Sequence, residues 1–231
     1  MRPMSHAFKT LLAAVIPSLL LLAPAAGLAG TVVPVERFRS VKLRNGGEVV
    51  LKYSPTTQRV TVMGSPEYTT TTVMEGGELV IQNDGCPKGY RMVVEVLTPD
   101  LEGVMVSDGG TIRSVEGFPR RAALNVAVAS GGVVDLRSMT VDQVTAAVQQ
   151  GGRILTRPRE ALVAAVAHGG AIVYWGNPHV TSSIQKGGVV TKGAAEDLDR
   201  PLPDLGITAT PVPPAPPVAP APAKRVRRIS T

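Results

Sequence analysis

The sequence predicts an all-β protein wound as a right-handed parallel β-helix, followed by a disordered proline-rich arm. Three observations lead there. Hydrophobic residues make up 44% of the 231-residue chain but aromatics only 3%, so the core must be assembled from Val, Ile, Leu and Ala, which suits short stacked strands. Seven Gly-Gly pairs begin at residues 46, 76, 109, 131, 151, 169 and 187, and their spacing of 30, 33, 22, 20, 18 and 18 settles into a regular period. Apolar residues alternate in register about those pairs.

The alternation shows when the chain is aligned on the second glycine of each pair. Four residues before it stand Val106, Val128, Val148, Val166 and Ile184, and two residues after it Ile112, Val134, Ile154, Ile172 and Val190. Further upstream come Val126, Ala146, Ala164 and Ser182, then Leu124, Val144, Leu162 and Val180. These are period-2 strands entering and leaving a glycine corner. Glycine weakens a strand by roughly 0.5–1 kcal/mol against alanine, so its recurrence signals a corner that needs positive φ or close backbone approach. A repeat of 18 to 22 residues is too short for a strand-helix-strand unit and fits coils stacked at about 4.8 Å. Antiparallel hairpins with Gly-Gly turns are the alternative, but they do not force the inward residues to recur at a constant interval. The right hand follows from the usual sense of parallel crossovers.

Taken in order, residues 1–29 read as a signal peptide. Arg2 and Lys9 precede the apolar run Leu11–Ala23, and "GLA" ends at Ala29. The run is shorter than the ~20 residues of a spanning helix and contains Pro17. Residues 30–100 carry longer Gly-Gly spacings and predict wider coils or a β-rich cap. Leu43 and Val49 flank the first pair, Val73 and Leu79 the second, and Gly64–Tyr68 and Asn83–Gly85 form protruding turns. Residues 101–199 hold the regular coils and make one domain with 30–100. Residues 200–231 contain nine prolines between 201 and 222 and then Lys224, Arg225, Arg227 and Arg228, a spacer whose basic end suits an anionic surface.

The formal charge of +6 belongs to the ends. Setting aside the two basic residues before residue 30, and five basic and one acidic in 200–231, leaves 17 of each sign in the central region. No nucleic-acid partner is therefore expected. Cys86 is the only cysteine; in an oxidising compartment a lone thiol is a buried spectator, the preferred reading, or an intermolecular link, and the absence of an acid-base neighbourhood argues against a nucleophile.

The stretches "VERFRSVKLRNGGEVVLKY", "VTVMG", "GGELVIQN", "VEVLTPDLEGVMVSDGG" and the closing "GGAIVYWGNPHVTSSIQKGGVV" resemble the family described as "putative auto-transporter adhesin, head GIN domain", also known as a bacterial domain of unknown function. The resemblance covers about 35 to 193. It implies an exported bacterial envelope protein with a β-helical fold and no enzymatic activity. The chain departs from many members in using Gly-Gly where they have a Ser-Gly corner, and in its basic arm.

The register then sorts the residues with chemistry. Asp135 aligns with Leu155 and Val173, and Asp108 with Ser130, Gln150, His168 and Lys186, so no ladder of carboxylates forms for polysaccharide cleavage. His168 and His179 lack a third ligand at suitable spacing for zinc; no catalytic residue, metal or cofactor is expected. Arg137, Arg157 and Trp175 fall in one outward column, a candidate binding patch for a sugar ring or anionic polymer, or else a stack that finishes the coil edge. Ala127, Ala147, Ala165 and Ser183 make an uncharged outward column, a candidate packing face for a partner, another copy or the N-terminal segment; an envelope or surface polymer, or a protein, is the expected partner of the whole chain. The predicted function is binding in the periplasm, at the outer surface or in the secreted fraction, adhesin-like or as a periplasmic scaffold; a polysaccharide-active enzyme is the remaining alternative.

Overall fold

The computed structural model describes residues 30–202 except Cys86, Lys88, Gly89 and Glu116. The segment expected to be a signal peptide, the expected arm from residue 203 and Cys86 lie outside the described residues. Those described form an all-β structure with two single 3₁₀ turns, at Pro66–Tyr68 and Ala195–Asp197.

The strands are β1 (Gly30–Val33), β2 (Ser40–Arg44), β3 (Glu48–Tyr53), β4 (Arg59–Met63), β5 (Thr69–Met74), β6 (Glu78–Asn83), β7 (Val93–Thr98) and β8 (Gly103–Ser107). There follow β9 (Thr111–Ser114), β10 (Arg121–Ser130), β11 (Val133–Gln150), β12 (Arg153–His168), β13 (Ala171–Tyr174), β14 (His179–Ile184) and β15 (Val189–Lys192). All fifteen belong to one sheet. Strands entering a glycine corner pair in a first parallel ladder, β6, β2, β8, β10, then the later halves of β11 and β12, then β14. Strands leaving it pair in a second, β7, β3, β9, then the early halves of β11 and β12, then β13 and β15. One strand from each ladder makes a rung.

The predicted columns are the observed registers. Leu124 pairs with Val144, Val144 with Leu162 and Leu162 with Val180; Val128, Val148, Val166 and Ile184 follow suit. On the second ladder, Ile112, Val134, Ile154, Ile172 and Val190 stack. All of these except Ile184 pack between the ladders, Val180 and Val190 only partly buried, and Phe38, Met92, Leu101 and Met139 join them. Burying such a Leu or Val contributes about 1.5–3 kcal/mol.

The two glycines of a corner have different reasons. Gly151 has φ +70° and open space where a Cβ would lie, so only its left-handed backbone asks for glycine. Gly152 has φ +95°, and a Cβ there would meet Val128 Cγ1 at 2.6 Å and the Gly132 carbonyl oxygen at 2.8 Å. The second glycine therefore also makes room for the corner stacked beneath it. Corners are tied vertically, as the Arg153 amide donates to the Gly132 carbonyl at 2.9 Å and the Ala171 amide to that of Gly152 at 2.9 Å.

Two expectations for residues 30–100 are corrected. The Gly76–Gly77 pair is not a corner of a parallel rung: it joins β5 to β6 as an antiparallel hairpin in which Val73 pairs across with Leu79. Both residues still point to one face, which is why their flanking pattern matches the corners. The rungs also do not stack in chain order. The rung of β2 and β3 lies between that of β6 and β7 on one side and that of β8 and β9 on the other. Beyond β6 and β7 the sheet ends in antiparallel strands, β5 on β6, β4 on β7 and β1 on β4. The turn expected at 64–68 is present around the 3₁₀ turn, whereas Asn83, expected to open a second turn, is the last residue of β6 and pairs with Thr69, with Gly85 following at φ +79°.

Candidate binding surface

Trp175 follows β13, where its backbone N–H continues the ladder by donating to the Thr156 carbonyl at 3.0 Å. Its side chain leaves the rung on the outward side and meets the chain that follows β15. The indole Nε1 donates to the Ala194 carbonyl at 2.7 Å, and the Gly193 backbone crosses the ring so closely that a Cβ there would lie 2.3 Å from it. Arg137, two rungs away, places its guanidinium carbon 5.5 Å from the ring centroid.

Arg137 is held by Asp135, with Nη2 to Oδ2 at 2.7 Å and Nε to Oδ1 at 2.9 Å, and its Nη1 donates to the Asp197 carbonyl at 2.5 Å. The bonds to the Asp135 carboxylate raise the Arg137 pKa above its ordinary value, against the opposing effect of burial. Trp175 is 6% exposed. An outward column of three solvent-facing side chains was the sequence expectation, and its geometry is corrected here: Trp175 and Arg137 are sealed under residues 193–197, and Arg157 alone of the three is exposed. Register assigns the direction in which a side chain leaves the rung, but it contains no sign of a later segment folding back over it.

The second candidate surface lies on the outward side of the first ladder. Ala127 pairs with Ala147, Ala147 with Ala165 and Ala165 with Ser183, so the four form one column. Ala127 and Ala147 are half-buried, Ala165 and Ser183 exposed. The column runs on to Met105 and then Lys42. Where it meets Met105, Gly103 and Ser40 there is a shallow groove of about 300 Å³ whose walls are almost wholly apolar. Gly103 keeps it open, since a Cβ there would lie 3.3 Å from that of Ser40. Sequence spacing signalled the alanine column but not the groove, because Ser40 and Gly103 become neighbours only through the out-of-order stacking of β2 against β8.

Apart from Lys42 and Glu78, which lie 4.0 Å apart at the far end of the column, the ion pairs sit elsewhere. Arg113 bonds Glu48 at 2.6 Å and Lys52 bonds Glu95 at 2.5 Å, both between rungs of the second ladder. Arg120 reaches Asp142 at 2.6 Å and Glu160 at 3.0 Å, and its bond to Asp142 raises its pKa. His168 and His179 are both exposed, one at a corner and the other at the start of β14. Among the described residues, no three side chains of His, Cys, Asp or Glu gather as a metal site would require, and no helix is long and apolar enough to cross a membrane.

A family model described as "Putative auto-transporter adhesin, head GIN domain" matches residues 37–122 and 120–178. Among solved structures, the chain is similar to a "putative adhesin" from Bacteroides fragilis, with 18% identity over 73% of this chain and 97% of that one and a TM-score of 0.38. It is also similar to a "putative lipid binding protein" from Parabacteroides distasonis, with 13% identity over 72% and 96% and a TM-score of 0.33. A "putative cell adhesion protein" from Clostridium sporogenes shares 11% identity over 71% and 98%, with a TM-score of 0.30. No curated protein matches.

Proposed function

The chain belongs to the family described as "Putative auto-transporter adhesin, head GIN domain", and from that premise we propose that it is an exported, non-catalytic envelope protein that acts by binding a surface polymer or a protein. Residues 30–199 serve as one domain, its ladders wound as a right-handed parallel β-helix, carried on export by residues 1–29 and extended by the basic arm.

The observation that supports this best is the uncharged outward column of Ala127, Ala147, Ala165 and Ser183 with the apolar groove at its Met105 end. A flat face without long side chains lets a partner approach the backbone closely and loses little conformational entropy on binding. Stacked rungs hold that face rigid, so no reordering opposes association. Arg157, exposed beside the sealed Trp175, is the second contact point, suited to an anionic group. Lys224, Arg225, Arg227 and Arg228 at the end of the arm add a salt-sensitive attraction to acidic polymers or lipid.

Binding to cell-wall polymers and glycans, measured for the exported protein with and without residues 203–231 at two salt concentrations, tests the proposal. Ala147→Glu is expected to weaken binding by about tenfold or more at both salts, and removal of the arm to matter at low salt only. Binding that is indifferent to Ala147→Glu would exclude the face. Labelling of intact cells distinguishes an outer-surface protein from a periplasmic scaffold.

A further inference from the structure

We propose that the rung formed by β14 and β15 is an interface between two copies of this chain, with β14 pairing antiparallel to β14 of the second copy about a two-fold axis through Ser182. This goes beyond the binding role above and uses a different surface.

The two ends of the sheet are finished differently. At one end the parallel strands β6 and β7 are covered by the antiparallel β5 and β4. At the other, among the described residues, β14 pairs with β12 and β15 with β13, and no strand lies beyond them. The interior column records the consequence: Val128, Val148 and Val166 are 0%, 1% and 2% exposed, whereas Ile184, next in the same column, is 47% exposed. An uncovered core end of this kind invites pairing with another chain unless it is blunted.

One of the two edge strands is blunted and the other is not. Lys192 stands in the inward column of β15, after Tyr174, and a charge pointing inward at an edge opposes pairing. From Val180 to Gln185, β14 carries neither charge nor proline. Its free hydrogen-bonding groups follow from the Gln185 amide, which donates to the Val166 carbonyl at 2.8 Å. Because alternate residues of a parallel strand address opposite neighbours, Val180, Ser182 and Ile184 direct their N–H and C=O groups toward the open end.

The occupant follows from self-complementarity and from where the chain goes. A two-fold axis at Ser182 sets Val180 opposite Ile184 of the second copy and Ser182 opposite itself, apolar on apolar with no like charges facing. Lys192, in the inward column of β15, opposes a matching pairing of that strand. The antiparallel end of a neighbouring molecule offers a poorer match, since the inward residues of β5 are Thr69, Thr71 and Val73. The chain's own continuation leads elsewhere: after Gly193 it runs over Trp175 to Arg137, three rungs back from the last rung. A two-fold contact closes at two copies.

The exported protein, carrying Cys86→Ser, is examined by sedimentation and light scattering. A dimer is expected, and Ser182→Pro and Ile184→Lys should each raise its dissociation constant by about tenfold or more. Proline at 182 removes an edge donor that bonds nothing in β12, so thermal melting of the separated chains reports whether the fold survives. Lys192→Glu should leave the dimer intact. Ser182→Cys should form a disulfide dimer on oxidation, because a hydrogen-bonded antiparallel pair places the two Cα atoms about 5.5 Å apart. A monomer at all concentrations, growth beyond two copies, a dimer unmoved by both edge substitutions, or a dimer that appears only after residues 203–231 are removed would each overturn the proposal.

Discussion

Residues 101–192 and residues 30–100 use the same strands to opposite ends. In the later region, from β10 onward, each rung stacks on the one before it, pairing residues 22 apart at first and then mostly 20 or 18 apart, and every Gly-Gly pair turns a corner between ladders. In the earlier region the rung of β2 and β3 is inserted between two rungs that come after it in the chain, and the Gly76–Gly77 pair closes an antiparallel hairpin. The lesson is that stacking by repetition propagates a core, while antiparallel strands end it. Once β5, β4 and β1 cover β6 and β7, the sheet presents no further parallel template in that direction.

The comparison breaks most sharply at the glycines. In the regular region the second glycine of a corner lies against the corner below, so Gly152→Ala sets a methyl 2.8 Å from the Gly132 carbonyl oxygen in addition to the strain of positive φ. A loss of about 3 kcal/mol or more is expected in denaturant unfolding. Gly151→Ala meets open space and should cost only the left-handed backbone, about 1–2 kcal/mol. Equal losses at the two positions would mean that backbone conformation alone selects the pair.

How much of this was legible in the residues depends on whether the information was periodic. Val128, Val148 and Val166 could be assigned to one column because a stacked fold repeats its inward positions at a fixed interval, and the alanine column followed from the same register. The position of the β2 and β3 rung could not be read, since Ser40 meets Gly103 across 63 residues, an interval shared only by the pairing of β3 with β9 in the same two rungs. Gly76–Gly77 imitated a corner because a short hairpin and a corner both place flanking apolar residues on one face. Trp175 was assigned an outward direction, but its burial depends on Gly193 and Ala194, residues after the last repeat that no pattern marks as a cover.

A smaller effect tests the hairpin. Neither Gly76 nor Gly77 has an atom closer than 3.6 Å to the position a Cβ would take. Gly76→Ala and Gly77→Ala should therefore cost about 1–2 kcal/mol each, without the asymmetry expected at 151 and 152. A much larger loss at Gly77 in the same unfolding measurement would show that this pair, too, supports a stacked backbone.

The smallest effect addresses the order of the rungs directly. Glu48 belongs to the inserted rung and Arg113 to the next, 65 residues away in sequence, and they bond at 2.6 Å with side chains 16% and 40% exposed. A double-mutant cycle with Glu48→Gln and Arg113→Gln should return a coupling of about 0.5 kcal/mol, as partly screened pairs do. Lys52 and Glu95 join the inserted rung to the one on its other side at 2.5 Å and should couple to a similar degree. Coupling in both pairs requires β3 to lie between β7 and β9. If the rungs instead followed chain order, β3 would stand next to at most one of the two, and one cycle would return zero. Raising the salt concentration should shrink both couplings together, which separates ion pairing from any shared change in the fold.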